Sequence, residues 1–190
     1  EKKSLIHEYY TPELVANAIA QTLLPYQAEL TNAEGTINVL EPSAGIGRFV
    51  NAFDPALWPQ LKWTAIELSK VSASLLAAVR PDIVVVNTPF EQWVVENKHL
   101  SGTYDLVVSN PPYGARGRYA SVDREKGYIE TRAYAYQMRR GIDMLRPNGI
   151  GAFLIPSGFV SGTGPSLRAL RARVLLRAHF MGACRLPSET

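Results

Sequence analysis

The stretch Ile37-Asn38-Val39-Leu40-Glu41-Pro42-Ser43-Ala44-Gly45-Ile46-Gly47 decides how the rest of the chain is read. A short β-branched run ends in a turn with two glycines and passes into a helical segment at about Arg48 to Phe53. That is the order of a βα unit, whose glycines permit a tight turn and a close approach of backbone to a ligand. The same alternation continues outward. Besides Ile37 to Leu40, strands are predicted at Lys62 to Glu67, Asp82 to Asn87, Asp105 to Ser109, Gly151 to Pro156 and His179 to Cys184. Apolar spacing predicts helices at Pro12 to about Leu24, Lys70 to Val79, Arg132 to Leu145 and Pro165 to Leu176. Thr11 reads as the cap of the first helix with Pro12 at its first position, and Pro147-Asn148-Gly149 reads as a turn. Strands alternating with helices imply an α/β fold with a doubly wound, mostly parallel sheet. Val84-Val85-Val86 and Leu106-Val107-Val108 are apolar on both faces, the pattern of central strands covered by helices.

The 190 residues are 46% hydrophobic and 19% charged, which suits one compact domain and excludes collagen, disulfide scaffolds and disordered tails. No apolar run approaches the roughly 18 residues that span a bilayer, and Glu1-Lys2-Lys3-Ser4 opens no secretion signal. A soluble cytoplasmic protein is expected. Cys184 sits in an apolar-basic segment and is expected to be a buried, inert thiol. His7, His99 and His179 lack ligand spacing, so no metal is expected.

Charge divides the chain after Pro112. Residues 1–112 hold 7 Lys+Arg against 12 Asp+Glu, a net of −5, whereas residues 113–190 hold 13 against 5, a net of +8. One part is suited to a small ligand and the other to a polyanion.

Glu67 closes the strand that follows the glycine turn, twenty positions after Gly47. A carboxylate there can accept hydrogen bonds from both ribose hydroxyls of a nucleoside cofactor. A dinucleotide is disfavoured, because Val50 occupies the place of the third small residue and Glu41 would repel a pyrophosphate. S-adenosylmethionine, a nucleoside with a cationic sulfonium and an amino-acid tail, fits both carboxylates.

Asp105-Leu106-Val107-Val108-Ser109-Asn110-Pro111-Pro112-Tyr113 is the second informative stretch. Two prolines directly after a buried strand fix an extended chain that donates nothing to the sheet. Asn110 Oδ1 and the Pro111 carbonyl can then accept the two hydrogens of one exocyclic amine, while Tyr113 stacks on the ring that bears it. Such an amine is a poor nucleophile, since its lone pair is delocalised. Two acceptors favour the pyramidal form that attacks a methyl group, and positioning and electrostatics supply the rate.

With these blocks in place, the chain resembles the adenine-N6 DNA methyltransferases, in the order where Tyr-Thr-Pro precedes the glycine loop. Tyr9-Tyr10-Thr11-Pro12, Leu40 to Gly47, Ile66-Glu67-Leu68, Asn110 to Tyr113 and Phe153 to Gly158 carry the likeness over nearly the whole chain. It is similar above all to methylase subunits of restriction-modification systems and to methylase domains joined to helicases in phages and mobile elements. The resemblance implies the Rossmann-like fold of class I S-adenosylmethionine methyltransferases. It places Tyr10, Thr11 and Pro12 at the cofactor's methionine end, Glu41, Pro42, Ser43, Ala44, Gly45 and Gly47 around its tail, and Glu67 with Leu68 at the ribose. Asn110, Pro111, Pro112 and Tyr113 would hold a flipped-out adenine.

The chain departs from that pattern twice. Pro89 precedes Phe90 where the family often has an acid bonding the cofactor's adenine, so Asn87 or Thr88 is expected to substitute. Phe90 and Trp93, at helical spacing, either cover the adenine or belong to the core. The family's strand hairpin and target-recognition region are also missing after Leu186-Pro187-Ser188. Residues 1–190 are therefore expected to be a catalytic core cut from a longer polypeptide, with a target-recognition or helicase module as partner in the same or another chain.

Arg116, Arg118, Arg124 and Lys126, in the glycine-rich loop Gly114 to Gly127, are expected to contact DNA phosphates beside the extruded nucleotide. Arg168, Arg171, Arg173 and Arg177 read as a solvated helix face. Methylation of a glutamine amide (N5) or an RNA base, and a non-catalytic DNA-binding subunit, are the alternatives. Carbon-5 cytosine chemistry is rejected because Cys184 lies between Ala183 and Arg185, without the Pro-Cys pair that chemistry uses.

Overall fold

The computed structural model describes residues 11–187. Strands β1 (Ile37–Glu41), β2 (Leu61–Glu67), β3 (Val84–Asn87), β4 (Tyr104–Ser109) and β5 (Leu145–Phe153) form one five-stranded sheet, ordered β3-β2-β1-β4-β5 with every pair parallel. Helices α1 (Glu13–Leu23), α2 (Gln27–Leu30), α3 (Arg48–Ala52), α4 (Lys70–Val79), α5 (Phe90–Glu96), α6 (Ala133–Met144), α7 (Gly158–Ser161) and α8 (Pro165–Leu175) complete the fold. This is the doubly wound α/β architecture that the alternation predicts. No described helix is long and apolar enough to cross a membrane.

Side chains alternate across a strand, so each central strand feeds two cores. Val39, Leu106 and Val108 pack with Ala16, Ala20 and Leu23 of α1 and with Phe49 and Val50 of α3. Leu40, Ile66 and Val107 face the other way, onto Phe90 and Trp93 of α5 and Tyr136 and Met144 of α6. Leu106, Val107 and Val108 are all fully buried, as central-strand residues should be.

Five local expectations need correction. β3 is the edge of this sheet rather than a central strand, and Val84 is 59% exposed. A run of three valines carries strand propensity but not strand position. Residues 179–184 form no strand; the described chain from 178 to 187 has no regular structure. Cys184 is exposed there, not buried. The α1 cap is Pro12, whose carbonyl accepts from Val15 and Ala16 N–H, and Thr11 makes no cap bond. β5 starts at Leu145, earlier than expected, because the predicted turn is a bulge inside it. Tyr104 pairs Leu145 but Leu106 pairs Ile150, and Asn148 at φ 66° turns the looped-out residues.

Polar residues tie the starting end of the sheet. Asp105, 1% exposed, accepts from Asn38 N–H at 2.7 Å, Asn32 Nδ2 at 3.0 Å and Arg146 Nε at 2.5 Å. Arg146 also donates to the Glu29 and Leu30 carbonyls at the end of α2. One carboxylate thus joins β1, β4, β5 and the turn after α2. Removing it would leave Arg146 and the Asn38 amide without their acceptor, so Asp105→Ala is expected to cost roughly 3 kcal/mol in urea unfolding. A loss under about 1 kcal/mol would show the cluster to be dispensable.

Candidate active site

The chain order reverses between β1 and β4, and the crevice outside their carboxyl ends is where open α/β sheets bind ligands. The register Val39↔Leu106 and Leu40↔Val107 carries Glu41 level with Val108, two residues short of Asn110.

Glu41 is the last residue of β1 and only 1% exposed. Its Oε2 is buried with no hydrogen-bond partner among the described residues. Burial, followed by the repulsion of Glu67, raises its carboxyl well above the ordinary range. An orphaned buried acceptor of this kind matches a ligand that brings positive charge or N–H donors. The amino-acid tail and sulfonium of S-adenosylmethionine have that chemistry, so the residues present fit the group.

Glu67, at the end of β2, organises the loop between β1 and α3. Its Oε2 accepts from Gly45 N–H and its Oε1 from Ser69 N–H, both at 2.6 Å. Ala44 N–H reaches the Ile66 carbonyl at 3.0 Å. Gly47 sits at φ 82°, a left-handed conformation that favours glycine, and a Cβ there would also lie 2.4 Å from Leu76 Cδ1. Ser43 Oγ donates to Gln137 Oε1 of α6 at 2.7 Å. No sequence motif singles out Gln137, which shows only as a polar residue on the buried face of α6.

Asn110 follows β4. Its Nδ2 donates to Thr11 Oγ1 at 3.1 Å, and Thr11 is itself 6% exposed. The Oδ1 acceptor has no hydrogen bond among the described residues. Pro111 is buried, Pro112 exposed, and Tyr113 is 49% exposed with its phenol pushed up by burial, so its ring stays neutral and open to stacking. Tyr10 lies outside the described residues, and Pro12 is exposed beside Thr11.

After β3, the expected acid substitute narrows. Asn87 Nδ2 is committed to the Glu67 and Leu68 carbonyls at 2.8 and 3.1 Å, whereas half-buried Thr88 makes no such bond. Phe90 and Trp93 are core residues. Their rings stack at 5.9 Å, and Phe90, 3% exposed, meets Tyr136 edge-on. Leu68 is exposed at the rim.

The loop after the Asn110–Tyr113 corner corrects the expectation for Arg116. Its side chain, 3% exposed, pairs with Glu91 at 3.4 Å, donates to the Tyr128 and Glu130 carbonyls and lies 3.7 Å over the Tyr136 ring. It cannot be a surface phosphate contact. Arg140 binds Asp123 and Glu125, Arg139 and Arg173 bind Glu130, and Arg177 pairs with Asp143, which also accepts from Tyr128 Oη. Burial raises Asp123, but hydrogen bonds from Tyr136 and Arg140 outweigh it and hold the carboxyl below its usual value. Arg171 donates to the Phe159 and Gly162 carbonyls, so most of the α8 arginines are structural. Arg118, Arg124, Lys126, Arg132 and Arg168 remain exposed without an ion pair among the described residues.

A family model described as the Eco57I restriction-modification methylase matches residues 60–185. Defense against restriction protein B of Escherichia phage P1 is 36% identical over 186 residues, which are 97% of this chain and 8% of that protein. Modification methylase CviBIII of Paramecium bursaria Chlorella virus NC1A is 26% identical over 160 residues, 83% of this chain and 39% of that protein. The structure of a class I S-adenosylmethionine-dependent methyltransferase from Listeria monocytogenes superposes with a TM-score of 0.67 at 16% identity, covering 92% of this chain and 55% of that one. The chain therefore spans a small part of the phage relative and under two thirds of the other two.

Glu41→Gln separates the carboxylate's two effects. With the folded pKa raised, protonated Glu41 stabilises the fold below the ordinary value near 4.5, and that contribution is lost as pH climbs through the raised value. A neutral glutamine is therefore expected to raise the cofactor-free melting temperature at pH 8 and weaken S-adenosylmethionine binding roughly tenfold or more. Calorimetry and thermal unfolding check both, and unchanged affinity would remove Glu41 from the site.

Proposed function

Because the chain belongs to the Eco57I restriction-modification methylase family and has the fold of S-adenosylmethionine-dependent methyltransferases, we propose that it methylates adenine N6 in DNA. The observation that carries this reading is the orientation of the Asn110 amide. Thr11 takes its donor end, which leaves Oδ1 as the acceptor.

Glu41 and the Pro42 to Gly47 loop would hold the amino-acid tail of S-adenosylmethionine, and Glu67 its ribose. Bound there, the cofactor supplies a methyl group on a positively charged sulfur. Asn110 Oδ1 and the Pro111 carbonyl accept the two N6 hydrogens of an adenine swung out of the duplex, which localises the lone pair on the nitrogen. Tyr113 stacks on the ring and Pro112 stiffens the corner. The proton in excess after transfer passes to water. No strong base is needed, because the two acceptors and the enforced alignment lower the barrier. Arg118, Arg124, Lys126 and Arg132 contact the flanking phosphates, and Arg116 shapes the loop beneath them. Sequence selection comes from a recognition or helicase module outside these residues.

The test is transfer of tritium from methyl-labelled cofactor to unmethylated DNA, RNA and protein, using the full-length protein and Asn110→Ala. Label is expected in DNA as N6-methyladenine, with the variant slower by about a hundredfold or more. Label found only in protein would move the substrate to glutamine, and label only in RNA would move it to an RNA base. Equal transfer by the variant would overturn the role of Asn110.

A further inference from the structure

Helix α6 touches both halves of the site. At its start, Ala133 N–H donates to the Gly114 carbonyl at 3.0 Å, one residue past Tyr113. One turn later, Gln137 Oε1 accepts from Ser43 Oγ, which anchors the loop that follows β1. Tyr136 and Arg140 of the same helix hold Asp123 at 2.8 and 2.7 Å, pinning the segment after the catalytic turn. Gln137 is 7% exposed. A buried amide costs desolvation unless it is bonded, and its contact with Ser43 crosses between two elements that approach the site from different strands.

We infer that Gln137 is a positioning residue, which through Ser43 makes the placement of the cofactor loop depend on α6 and hence on the seating of the catalytic turn. The inference rests on the reading of substrate and cofactor given above and deepens it, because it requires the two ligands to bind cooperatively. A base drawn against Asn110 and Tyr113 fixes Gly114 and the start of α6. That helix then holds Ser43 where the cofactor's tail needs it, and linkage makes the effect reciprocal. Gln137 itself touches neither reacting atom.

The experiment measures binding of sinefungin, a cofactor analogue that transfers no methyl group, to the full-length protein with and without an unmethylated DNA duplex. The unsubstituted protein is compared with Gln137→Leu, which keeps the volume and loses the acceptor, with Ser43→Ala, and with the double variant. DNA is expected to tighten analogue binding about fivefold or more in the unsubstituted protein. In each variant the tightening should fall to within about twofold of none, and the double variant should match the singles because all three remove one bond. Melting temperatures report folding separately, and Ser43→Ala keeps the test open should Gln137→Leu fold poorly. Tightening that persists in the variants, losses that add in the double variant, or no tightening in the unsubstituted protein would each overturn the inference. The two readings fail separately. Tritium absent from DNA overturns the substrate assignment, whereas tritium in DNA with coupling intact in Gln137→Leu overturns only the role of Gln137.

Discussion

β1 and β4 hydrogen-bond side by side although β2 and β3 lie between them in sequence, and the site depends on that pairing. It brings the carboxyl ends of the two strands to one edge of the sheet, where the chain runs away from them in opposite directions and leaves a crevice. The register sets Glu41 level with Val108, two residues before Asn110. A one-residue slip would turn every β4 side chain to the opposite face and point the acceptor after it away from the cofactor loop.

The two ends of this strand pair are built to opposite purposes. At the starting end, Asp105 has its bonds filled by Asn38, Asn32 and Arg146, so its burial is compensated. At the finishing end, Glu41 is equally buried and has an oxygen with no hydrogen-bond partner among the described residues. Glu67 is comparable in charge, yet it is occupied by the Gly45 and Ser69 amides, which shape the loop around the vacant acceptor. Glu41 sits at the carboxyl ends of β1 and β4, where a ligand that brings N–H donors or positive charge can complete its buried oxygen.

The arginines carry a related lesson. The second part of the chain has a net charge of +8, which reads as a basic surface for a polyanion. Among the described residues six of its arginines are in ion pairs, and Arg116 is almost wholly enclosed against Glu91 and Tyr136. The charge stiffens the long loop behind the Asn110–Tyr113 corner and leaves a smaller exposed set at its surface. A long segment poor in aliphatic residues is thus held in place by ionic and cation–π contacts rather than by a hydrophobic core.

The alternation of strands and helices, the glycine turn after β1, the acid that ends β2 and the rigid Asn-Pro-Pro-Tyr corner after β4 are all legible in the linear chain. Each depends on dihedral limits or apolar spacing within a few residues, so a linear reading reaches it. Packing of the whole chain was needed to put β3 at an edge, leave residues 179–184 paired with nothing described, turn Phe90 and Trp93 to the core, give Thr11 to Asn110 rather than to its own helix, and join Gln137 to Ser43. Those outcomes rest on contacts between distant parts of the chain, such as Thr11 with Asn110 or Arg116 with Glu91. A residue's own chemistry says what it can bond to, and the packing of the sheet and helices decides which of those partners comes within reach.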